Sequence, residues 1–309
     1  MMNPMAKGRR IVQRWSDRWR HGAFILLYHR VDAKGDDPFD IRVTPERFTE
    51  HLEVLRDRWR VAPLRDLVHA LREGEAVEGC VAITFDDGYE DNLRVALPAL
   101  ERADVPATVF VVSDELGREF WWDRLTRLWS SRRGESGSAE FRALHRRLRG
   151  SGREERARAL DELASEPPLG APAAAEPARA LTPDELRALT DGGLVEIGSH
   201  TRSHPFLPDL GESAQREEIV GARDALEAVI ERTVVGMSYP FGGFDGRSLA
   251  LVEEAGMDYA CAAAPGVCTV SSGVHHLPRF WVGDWTGEEL DEYLRARSPG
   301  SAPSVSAAG

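Results

Sequence analysis

Two adjacent carboxylates follow an apolar stretch in the first third of the chain. Residues 81–85, Val-Ala-Ile-Thr-Phe, are typical of a buried strand, and Asp86, Asp87 and Gly88 come directly after them. Side chains alternate between the faces of a strand, so both acids reach one cavity only if the chain leaves the strand there, which Gly88 permits. Neighbouring carboxylates repel unless a cation or a proton lies between them. The stretch therefore indicates either a metal site, with one acid as ligand and the other as base, or an ordinary Asp-Gly turn.

A pair of histidines follows another apolar stretch. His200 and His204 come after residues 194–197, Leu-Val-Glu-Ile, and one turn of helix would place both imidazoles on one face. Two histidines and one carboxylate form a common ligand set for catalytic zinc, which leaves positions open for water and substrate. We therefore expect one divalent ion. Zinc is the first choice, although cobalt, nickel, manganese and iron suit the same ligands.

A third polar loop, residues 238–243, follows the apolar residues 234–237. Proline and glycine fix this loop and expose backbone amides, which suits the binding of an oxyanion. Taken alone, the loop is also typical of a tight turn. The candidate residues for binding an oxyanion or substrate are Tyr239, Pro240, Phe241 and Gly242.

The elements around these loops predict the fold class. Apolar runs predict strands at residues 23–28, 81–85, 106–112, 194–197, 234–238, 259–263 and 280–282. Helical patterns lie between most of them, as after Thr44-Pro45, where an N-cap and a proline at the first helical position precede apolar residues at helical spacing. Strands repeatedly followed by helices predict a parallel α/β fold, either open or barrel-shaped. Both forms place their sites at the carboxyl ends of strands.

Three segments depart from this alternation and divide the chain. Residues 1–22 form a basic N-terminal segment. Residues 118–180 combine the run Phe120-Trp-Trp-Asp123 with an arginine-rich helical stretch and a Pro/Ala segment, which we interpret as a helical insertion that acts as a lid. Residues 298–309 form a Ser/Ala/Pro/Gly tail that is predicted to be disordered. The barrel domain is expected over residues 23–297.

Composition limits the partners and the compartment. The chain has 309 residues and a formal net charge of −12, which argues against nucleic acid as a partner. Its three cysteines form no CxxC motif, so we expect neither a disulfide framework nor a cysteine metal site. No apolar segment is long enough for export or anchoring, which predicts a cytoplasmic protein. A membrane-surface helix within residues 9–20 is the alternative, and the sequence does not indicate an oligomeric state.

Together the three loops resemble the motifs of the polysaccharide deacetylase family, the NodB-homology or carbohydrate esterase family 4 enzymes. Thr84-Phe-Asp-Asp-Gly88 is identical to the first motif of that family. His200-Thr-Arg-Ser-His204 fits its His-(Ser/Thr)-x-x-His motif, and residues 238–242 stand where its Arg-x-Pro-(Tyr/Phe) motif belongs. The resemblance covers residues 23–282. It implies a distorted (β/α) barrel and metal-dependent hydrolysis of an N-acetyl group from an amino sugar in a glycan or glycan precursor.

The resemblance also implies a role for each matched residue. The metal ligands would be Asp87, His200 and His204, and the general base would be Asp86. The metal would polarise the amide carbonyl and lower the pKa of the attacking water, whose remaining proton the base accepts. A backbone amide near Phe241 would help to stabilise the oxyanion. An acid must then protonate the departing amine, because an amide anion is a poor leaving group at neutral pH.

Two residues of the family pattern have no direct counterpart. The third motif of the family usually begins with an arginine that orients the catalytic aspartate, and Ser238 stands in that position here. Our candidate replacement is Arg279, which precedes the last predicted strand. The late Leu-x-His motif that supplies the acid is also not spelled out. Three histidines compete for that role, and each is alternatively a packed or surface residue: His29, His275 and His276.

The aromatic run that opens the insertion has two interpretations. Trp121 or Trp122 stacks on a sugar ring and forms a glycan subsite, or the run packs the insertion against the barrel. We keep Trp122 as a candidate substrate contact.

Three functions are compatible with these residues. The first is an N-deacetylase that acts on a sugar nucleotide, a lipid-linked saccharide or a surface-glycan precursor. The second is an amide hydrolase with a small non-sugar substrate. The third is a catalytically silent glycan-binding or scaffold protein, which the missing arginine and the unplaced acid would support. The presence of all three ligands and the base favours an enzyme.

Overall fold

The strands follow the predicted apolar runs closely. The computed structural model describes residues 22–33, 36–169 and 177–298, so the predictions for the basic N-terminal segment, for most of the Pro/Ala segment and for the C-terminal tail fall outside it. In the described part the strands are β1 Phe24–Tyr28, β2 Arg30–Val31, β3 Arg42–Val43, β4 Arg60–Val61, β5 Cys80–Phe85, β6 Ala107–Val111, β7 Val195–Ser199, β8 Gly236–Ser238, β9 Tyr259–Cys261 and β10 Phe280–Trp281.

Helices and strands alternate over much of the chain, except between β6 and β7, where four helices follow one another. In the described part of the chain they are α1 Pro45–Arg58, α2 Leu64–Glu73, α3 Leu97–Ala103, α4 Trp121–Arg133, α5 Ala139–Arg149, α6 Arg153–Ser165, α7 Pro183–Thr190, α8 Glu212–Ile230, α9 Gly246–Glu254 and α10 Gly287–Arg297. One π-helical turn, Asn92–Ala96, leads into α3. Short 3₁₀ turns cover Ser113–Glu115, Leu207–Asp209, Pro240–Gly242 and Val274–His276.

Eight strands form a single parallel sheet in the order β10-β1-β5-β6-β7-β8-β9, with β4 paired to β5. The segment before β10 completes the ring. The amide of Leu277 donates to the Ala260 carbonyl and its own carbonyl accepts from Ala262, while β10 pairs with β1. The sheet is the distorted barrel that the family resemblance implies, so the predicted fold class is confirmed.

Continuous apolar sequence explains the central strands. Every residue of β1, β5 and β6 is buried, as expected for parallel strands that are covered on both faces. Helix α1 begins after Thr44 as predicted, and it buries Phe48, Leu52 and Leu55 against the barrel. Helix α10 was not predicted, although a capping box of Thr286 and Glu289 marks its start.

The predicted helical insertion consists of α4, α5 and α6, which share a small core of their own. Its buried members are Leu125, Leu128, Trp129, Phe141, Leu148, Leu160 and Leu163. A second cluster joins α4 to the barrel, where Phe120 and Trp122 pack with Tyr89, Val112 and Ala180. The insertion therefore has its own small core and also packs against the barrel beside the strand ends.

No helix in the described ranges combines the length and the apolar character needed to cross a lipid bilayer. All three cysteines are buried free thiols.

The small core of the insertion gives a first testable prediction. Phe141 is fully buried and its ring lies 5.7 Å from that of Trp129 and 5.8 Å from that of Phe39. Replacing Phe141 with alanine removes these contacts and leaves a cavity, so we expect the free energy of unfolding to fall by about 3–5 kcal/mol in urea titrations. The exposed neighbour on the same helix is the control, and Arg142→Ala should stay within about 0.5 kcal/mol of wild type. Equal effects of the two substitutions would contradict this account of the insertion core.

Candidate active site

The three sequence motifs meet at one end of the barrel. Asp86 and Asp87 follow β5, His200 and His204 follow β7, and the Pro240–Gly242 turn follows β8. These strands run in the same direction and only β6 separates β5 from β7 in the sheet. Their carboxyl ends therefore open into a common cavity, as the β/α pattern predicted.

Three buried side chains form a cluster that can hold a metal ion. The ligand atoms of Asp87, His200 and His204 all lie within 4.8 Å of one another. Asp87 Oδ1 is 3.6 Å from His200 Nε2 and 3.5 Å from His204 Nε2. This carboxylate oxygen is buried and has no hydrogen-bond partner among the described residues. A buried acceptor without a partner is costly, and a cation between the three side chains would satisfy it, so these residues fit a divalent ion.

Loop conformation brings the ligands together, and the helical turn expected for the two histidines is wrong. The segment from His200 to His204 has no helix, and Thr201 and His204 have φ angles of 65° and 57°. Asp87 also lies in the left-handed region, with φ of 72°. Such angles are uncommon for residues other than glycine and concentrate at functional sites. With these backbone angles, the centroids of the two imidazole rings lie 4.8 Å apart.

A hydrogen bond to the main chain fixes the orientation of the His200 ring. Its Nδ1 lies 2.8 Å from the carbonyl oxygen of Ser238, to which an Nδ1–H donates, so Nε2 carries the lone pair that faces Asp87. Burial lowers the pKa of His200, and it lowers the pKa of His204 well below the ordinary value. Both rings are therefore neutral at pH 7, which is the state that coordinates a metal.

Asp86 is held by a fully buried arginine. The Arg279 guanidinium donates to both carboxylate oxygens of Asp86 at 2.7 Å. Its other bonds go to Ser238 Oγ at 2.6 Å, Thr84 Oγ1 at 3.1 Å and the Ala262 carbonyl at 2.8 Å. Burial alone would raise the pKa of Asp86, but the adjacent guanidinium outweighs burial and holds that pKa well below its usual range. Asp86 therefore stays ionised in a fixed orientation.

The neighbouring acid has the opposite electrostatic state. Burial raises the pKa of Asp87 well above its ordinary value, and the charge of Asp86 adds to this effect. Arg279 is fully engaged with Asp86, so Asp87 is the carboxylate that lacks a compensating cation. Of the two adjacent acids, Asp87 is thus the one whose charge a metal would stabilise.

The Pro240–Gly242 turn contributes its backbone and one aromatic ring. The Tyr239 side chain points into the core, and its hydroxyl donates to the His275 carbonyl at 2.8 Å. Phe241 has a φ of 57°, and its ring centroid lies 4.6 Å from that of His204. The amides of Tyr239 and Gly242 already donate to main-chain carbonyls, and Pro240 has no N–H. Phe241 is therefore the amide of this turn that remains for a ligand.

The shared cavity has a volume of about 350 Å³ and includes side chains from the insertion. The lining residues that come from the barrel are Leu27, His29, Phe39, Ile41, Asp86, Asp87, His200, His204, Phe241, Gly242, Ala263 and Trp281. The insertion supplies Trp122, His145 and Arg149. The two polar residues from the insertion had no motif that could have identified them, because they meet the barrel only through tertiary packing.

Comparison with known proteins identifies the family. The sequence model described as Polysaccharide deacetylase matches residues 73–260, which is more than half of the chain. The chain belongs to the polysaccharide deacetylase family.

Individual relatives in this family are distant in sequence. YxkH of Bacillus subtilis (strain 168), which carries a provisional polysaccharide deacetylase name, is 21% identical over 275 residues, or 88% of this chain and 76% of its own. Among solved structures, the deacetylase PplD of Streptococcus pyogenes in complex with acetate has a TM-score of 0.62 at 18% identity, with 88% of this chain and 97% of that chain covered. IcaB from Ammonifex degensii has a TM-score of 0.63 at 16% identity, with 90% and 97% covered. At these identities the two structures show a shared fold.

Arg279 lies beside Ser238, the residue that replaces the usual arginine of the family's third motif. Ser238 occupies the motif position of the family arginine, and Arg279 enters from the start of β10 to bond both Ser238 and Asp86. The candidate replacement named from the sequence thus contacts the aspartate directly. Thr84 was missed as a contact of this arginine, although it belongs to the first motif of the deacetylase family.

Only one of the three candidate acids lies in the cavity. His29 lines it beside Trp281, with ring centroids 4.9 Å apart, and burial lowers the pKa of His29 to about 4. His275 turns away and bonds through Nε2 to the Met257 carbonyl at 3.0 Å. His276 is exposed on a 3₁₀ turn and is not among the cavity residues. The structure therefore does not bring His276 to the site.

Trp122 combines packing with a place in the cavity wall. It is 6% exposed, and its ring centroid lies 4.8 Å from that of His204. Its Nε1–H donates to the Tyr89 hydroxyl at 2.7 Å, and that hydroxyl donates to Asp123 at 2.8 Å. These bonds tie the first turn of α4 to the loop after β5. Trp122 therefore positions the insertion against a candidate metal ligand, and its edge faces the cavity.

The raised pKa of Asp87 leads to a prediction about stability. A carboxyl whose pKa is higher in the folded state costs folding free energy as the pH rises from its unfolded pKa of about 3.9 toward the folded value. Asp87→Asn removes this cost and the repulsion from Asp86. We expect the metal-free variant to be more stable than metal-free wild type at pH 7, while its stoichiometric zinc binding is lost.

Denaturant titrations in a chelator and metal analysis after dialysis measure the two effects. The matched control is Asp209→Asn, an exposed acid near the same loop, which should change neither quantity. Undiminished zinc binding by Asp87→Asn would remove Asp87 from the ligand set. A loss of stability without metal would show that Asp87 makes a favourable contact instead of bearing an uncompensated charge.

Proposed function

We propose that the protein is a metal-dependent N-deacetylase that hydrolyses the N-acetyl group of an amino sugar in a glycan or glycan precursor. The observation that carries this proposal is the cluster of Asp87, His200 and His204 beside an Asp86 that Arg279 holds ionised in the same cavity. Membership of the polysaccharide deacetylase family supports the reaction class. The structural relative PplD contains acetate, the product that such a reaction would release.

One divalent ion would be held by Asp87, His200 and His204, with zinc as the first choice for this ligand set. Bound there, it would polarise the amide carbonyl and make a water molecule more acidic. Neighbouring residues orient the two histidine ligands. The Ser238 carbonyl fixes the ring of His200, and Trp122 and Phe241 pack on the ring of His204. A ligand set held in this way does not need to rearrange during the reaction.

Asp86 accepts a proton from the attacking water. The Arg279 fork keeps the carboxylate ionised and fixes both oxygens, so its orientation is set before the substrate enters. The low pKa of Asp86 makes it a weak base, so the role requires a water molecule that a bound ion would have made more acidic. As the water oxygen attacks the amide carbon, the carbonyl oxygen gains negative charge. The backbone amide of Phe241 would donate a hydrogen bond to that charge.

His29 is the group proposed to protonate the departing amine. It is the one candidate acid that lines the cavity, and Asp86 and His200 both influence its pKa. With a pKa of about 4 its ring is neutral before the reaction. The proton that it delivers must therefore be the one that Asp86 takes from the water, passed on within the cavity. Breaking the C–N bond then yields acetate and a free amine.

The missing motif arginine was one of two arguments for a catalytically silent scaffold, and the position of Arg279 weakens it. The arginine that the third motif lacks is replaced in space by Arg279, with both bonds to the aspartate intact. The cytoplasmic location expected from the sequence stays a prediction.

Acetate release tests the proposed function directly. Zinc-loaded protein incubated with N-acetylglucosamine oligomers should release acetate, and the chelated protein should not. Asp86→Asn should keep its zinc and lose at least about 10²-fold in kcat, because it lacks the proton acceptor. Equal rates on simple N-acetyl amides without a sugar would favour the alternative amide hydrolase. A zinc-loaded protein that releases no acetate from any of these compounds would favour the silent scaffold.

The role of Arg279 gives a separate prediction. Arg279→Lys keeps a positive charge but loses the planar fork, so we expect kcat to fall by about 10- to 100-fold with zinc content unchanged. The acidic limb of the pH–rate profile should move to higher pH, because the pKa of Asp86 rises when its bidentate partner is lost. Arg102→Lys, on the exposed face of α3, is the matched control. An unshifted acidic limb with reduced kcat would mean that Arg279 does not act through Asp86.

A further inference from the structure

Arg149, the last residue of α5, places a cation at the mouth of the cavity. Its side chain lines the cavity together with His204 and Phe241. The guanidinium carbon lies 4.1 Å from the ring centroid of Phe241 and 4.7 Å from that of Phe206. Cation–π contacts with two rings hold the guanidinium in place without consuming its N–H donors. The donors of a partly exposed Arg149 therefore remain available to a ligand.

Arg149 lies close to the candidate metal ligands. The Phe241 ring contacts both groups, since its centroid is 4.6 Å from that of His204 and 4.1 Å from the Arg149 guanidinium carbon. The two groups are therefore no further apart than the sum of these distances, which is a span that one sugar ring and its substituents can cover. A substrate with its N-acetyl group at the metal ligands thus has a neighbouring substituent within reach of the guanidinium.

Three of the acidic residues that line a cavity together with Arg149 are engaged by other partners. Glu115 pairs with Arg153 at 2.7 Å, Glu217 pairs with Arg202, and Glu218 accepts from the Ser203 hydroxyl at 2.6 Å. Within the ranges that the structure covers, Arg149 has no ion pair of its own. Its charge is therefore available to an anionic ligand.

Phe241, one of the two aromatic residues that contact Arg149, has a strained backbone. It is a non-glycine residue at φ 57°, and the residue as a whole is 37% exposed. The next residue, Gly242, packs so closely that an added Cβ would lie 2.7 Å from the amide nitrogen of Ala263. Close packing limits movement of the turn, and Phe241 lines the cavity. An exposed aromatic ring on strained backbone is typical of a ligand-binding position.

We propose that Arg149 binds an anionic group, a phosphate or a carboxylate, that the substrate carries next to the N-acetyl group to be hydrolysed. Arginine presents a planar fork of donors that matches either oxyanion. The proposal rests on the N-deacetylase function and narrows its substrate class to acidic or phosphorylated N-acetyl sugars. A second cavity of about 460 Å³ between the insertion and the barrel also includes Arg149, with Arg153 and Arg156. A substrate longer than one sugar therefore has room to continue past the anionic group.

Paired substrates test this inference. Zinc-loaded wild type, Arg149→Gln and Arg149→Lys are compared on N-acetylglucosamine 1-phosphate, N-acetylmuramic acid and the neutral methyl glycoside of N-acetylglucosamine. Removing the cation should raise KM for a bound anionic substrate by about tenfold or more with kcat unchanged, and should leave the neutral glycoside unaffected. The KM of Arg149→Lys for that anionic substrate should lie between the values for wild type and Arg149→Gln. The anionic substrate that responds identifies phosphate or carboxylate as the recognised group.

The control is Arg146→Gln, an exposed arginine on the same helix, which should change none of these constants. Calorimetric binding of the same three sugars to zinc-loaded Asp86→Asn, with and without Arg149→Gln, gives a readout that needs no turnover. A tenfold weaker affinity for one anionic sugar supports the inference even if acetate release fails and the deacetylase function falls. An equal loss on charged and neutral sugars, or no loss on either, overturns the inference while acetate release by wild type leaves the function standing.

Discussion

The fully buried ion pair between Arg279 and Asp86 is the contact on which the active end of the barrel depends. A buried arginine is tolerated only when its charge is matched and its donors are used, and here all of them are. Arg279 lies between Leu277, which pairs with β9, and strand β10, which pairs with β1, so the residue that orients the proposed base stands where the barrel closes. The pair also leaves Asp87 as the uncompensated acid beside the two histidines. Loss of these two bonds would therefore disturb chiefly the orientation and the charge of the proposed base.

The insertion is connected to the chemistry through packing. Asp123, Tyr89 and Trp122 form a hydrogen-bonded series that ends on the ring of His204, so the position of α4 is coupled to a proposed metal ligand. Arg149, from the end of α5, reaches the same cavity from the other side of the Phe241 ring. Two helices of the predicted insertion, α4 and α5, thus form part of the cavity wall. The barrel supplies the proposed catalytic groups, and the insertion shapes the access of substrate to them.

Local pattern was sufficient where a function depends on consecutive residues. The strand before Asp86 and the motif containing Asp87 could be read directly, because burial of a parallel strand requires an apolar run and the site follows its end. The capping box at Thr286 shows that even a missed helix, α10, had left a readable signal. The helical turn expected at His200 and His204 was wrong for a related reason. Their spacing fits a helix, but the close approach of Asp87 requires backbone angles that spacing does not reveal.

The sequence by itself determined the parallel α/β class, the order of the motifs and the identity of the metal-binding candidates, because each is encoded in short stretches of chain, and the resemblance of those motifs to a family implied the barrel. Only the tertiary structure decided which distant side chains complete the cavity. It brought Arg279 across the barrel to the space beside Ser238, placed His29 in the cavity and His276 outside it, and set Arg149 between two aromatic rings. The physical reason is that these contacts depend on how strand ends and the insertion pack in space, and such convergence leaves no periodicity or spacing in the chain.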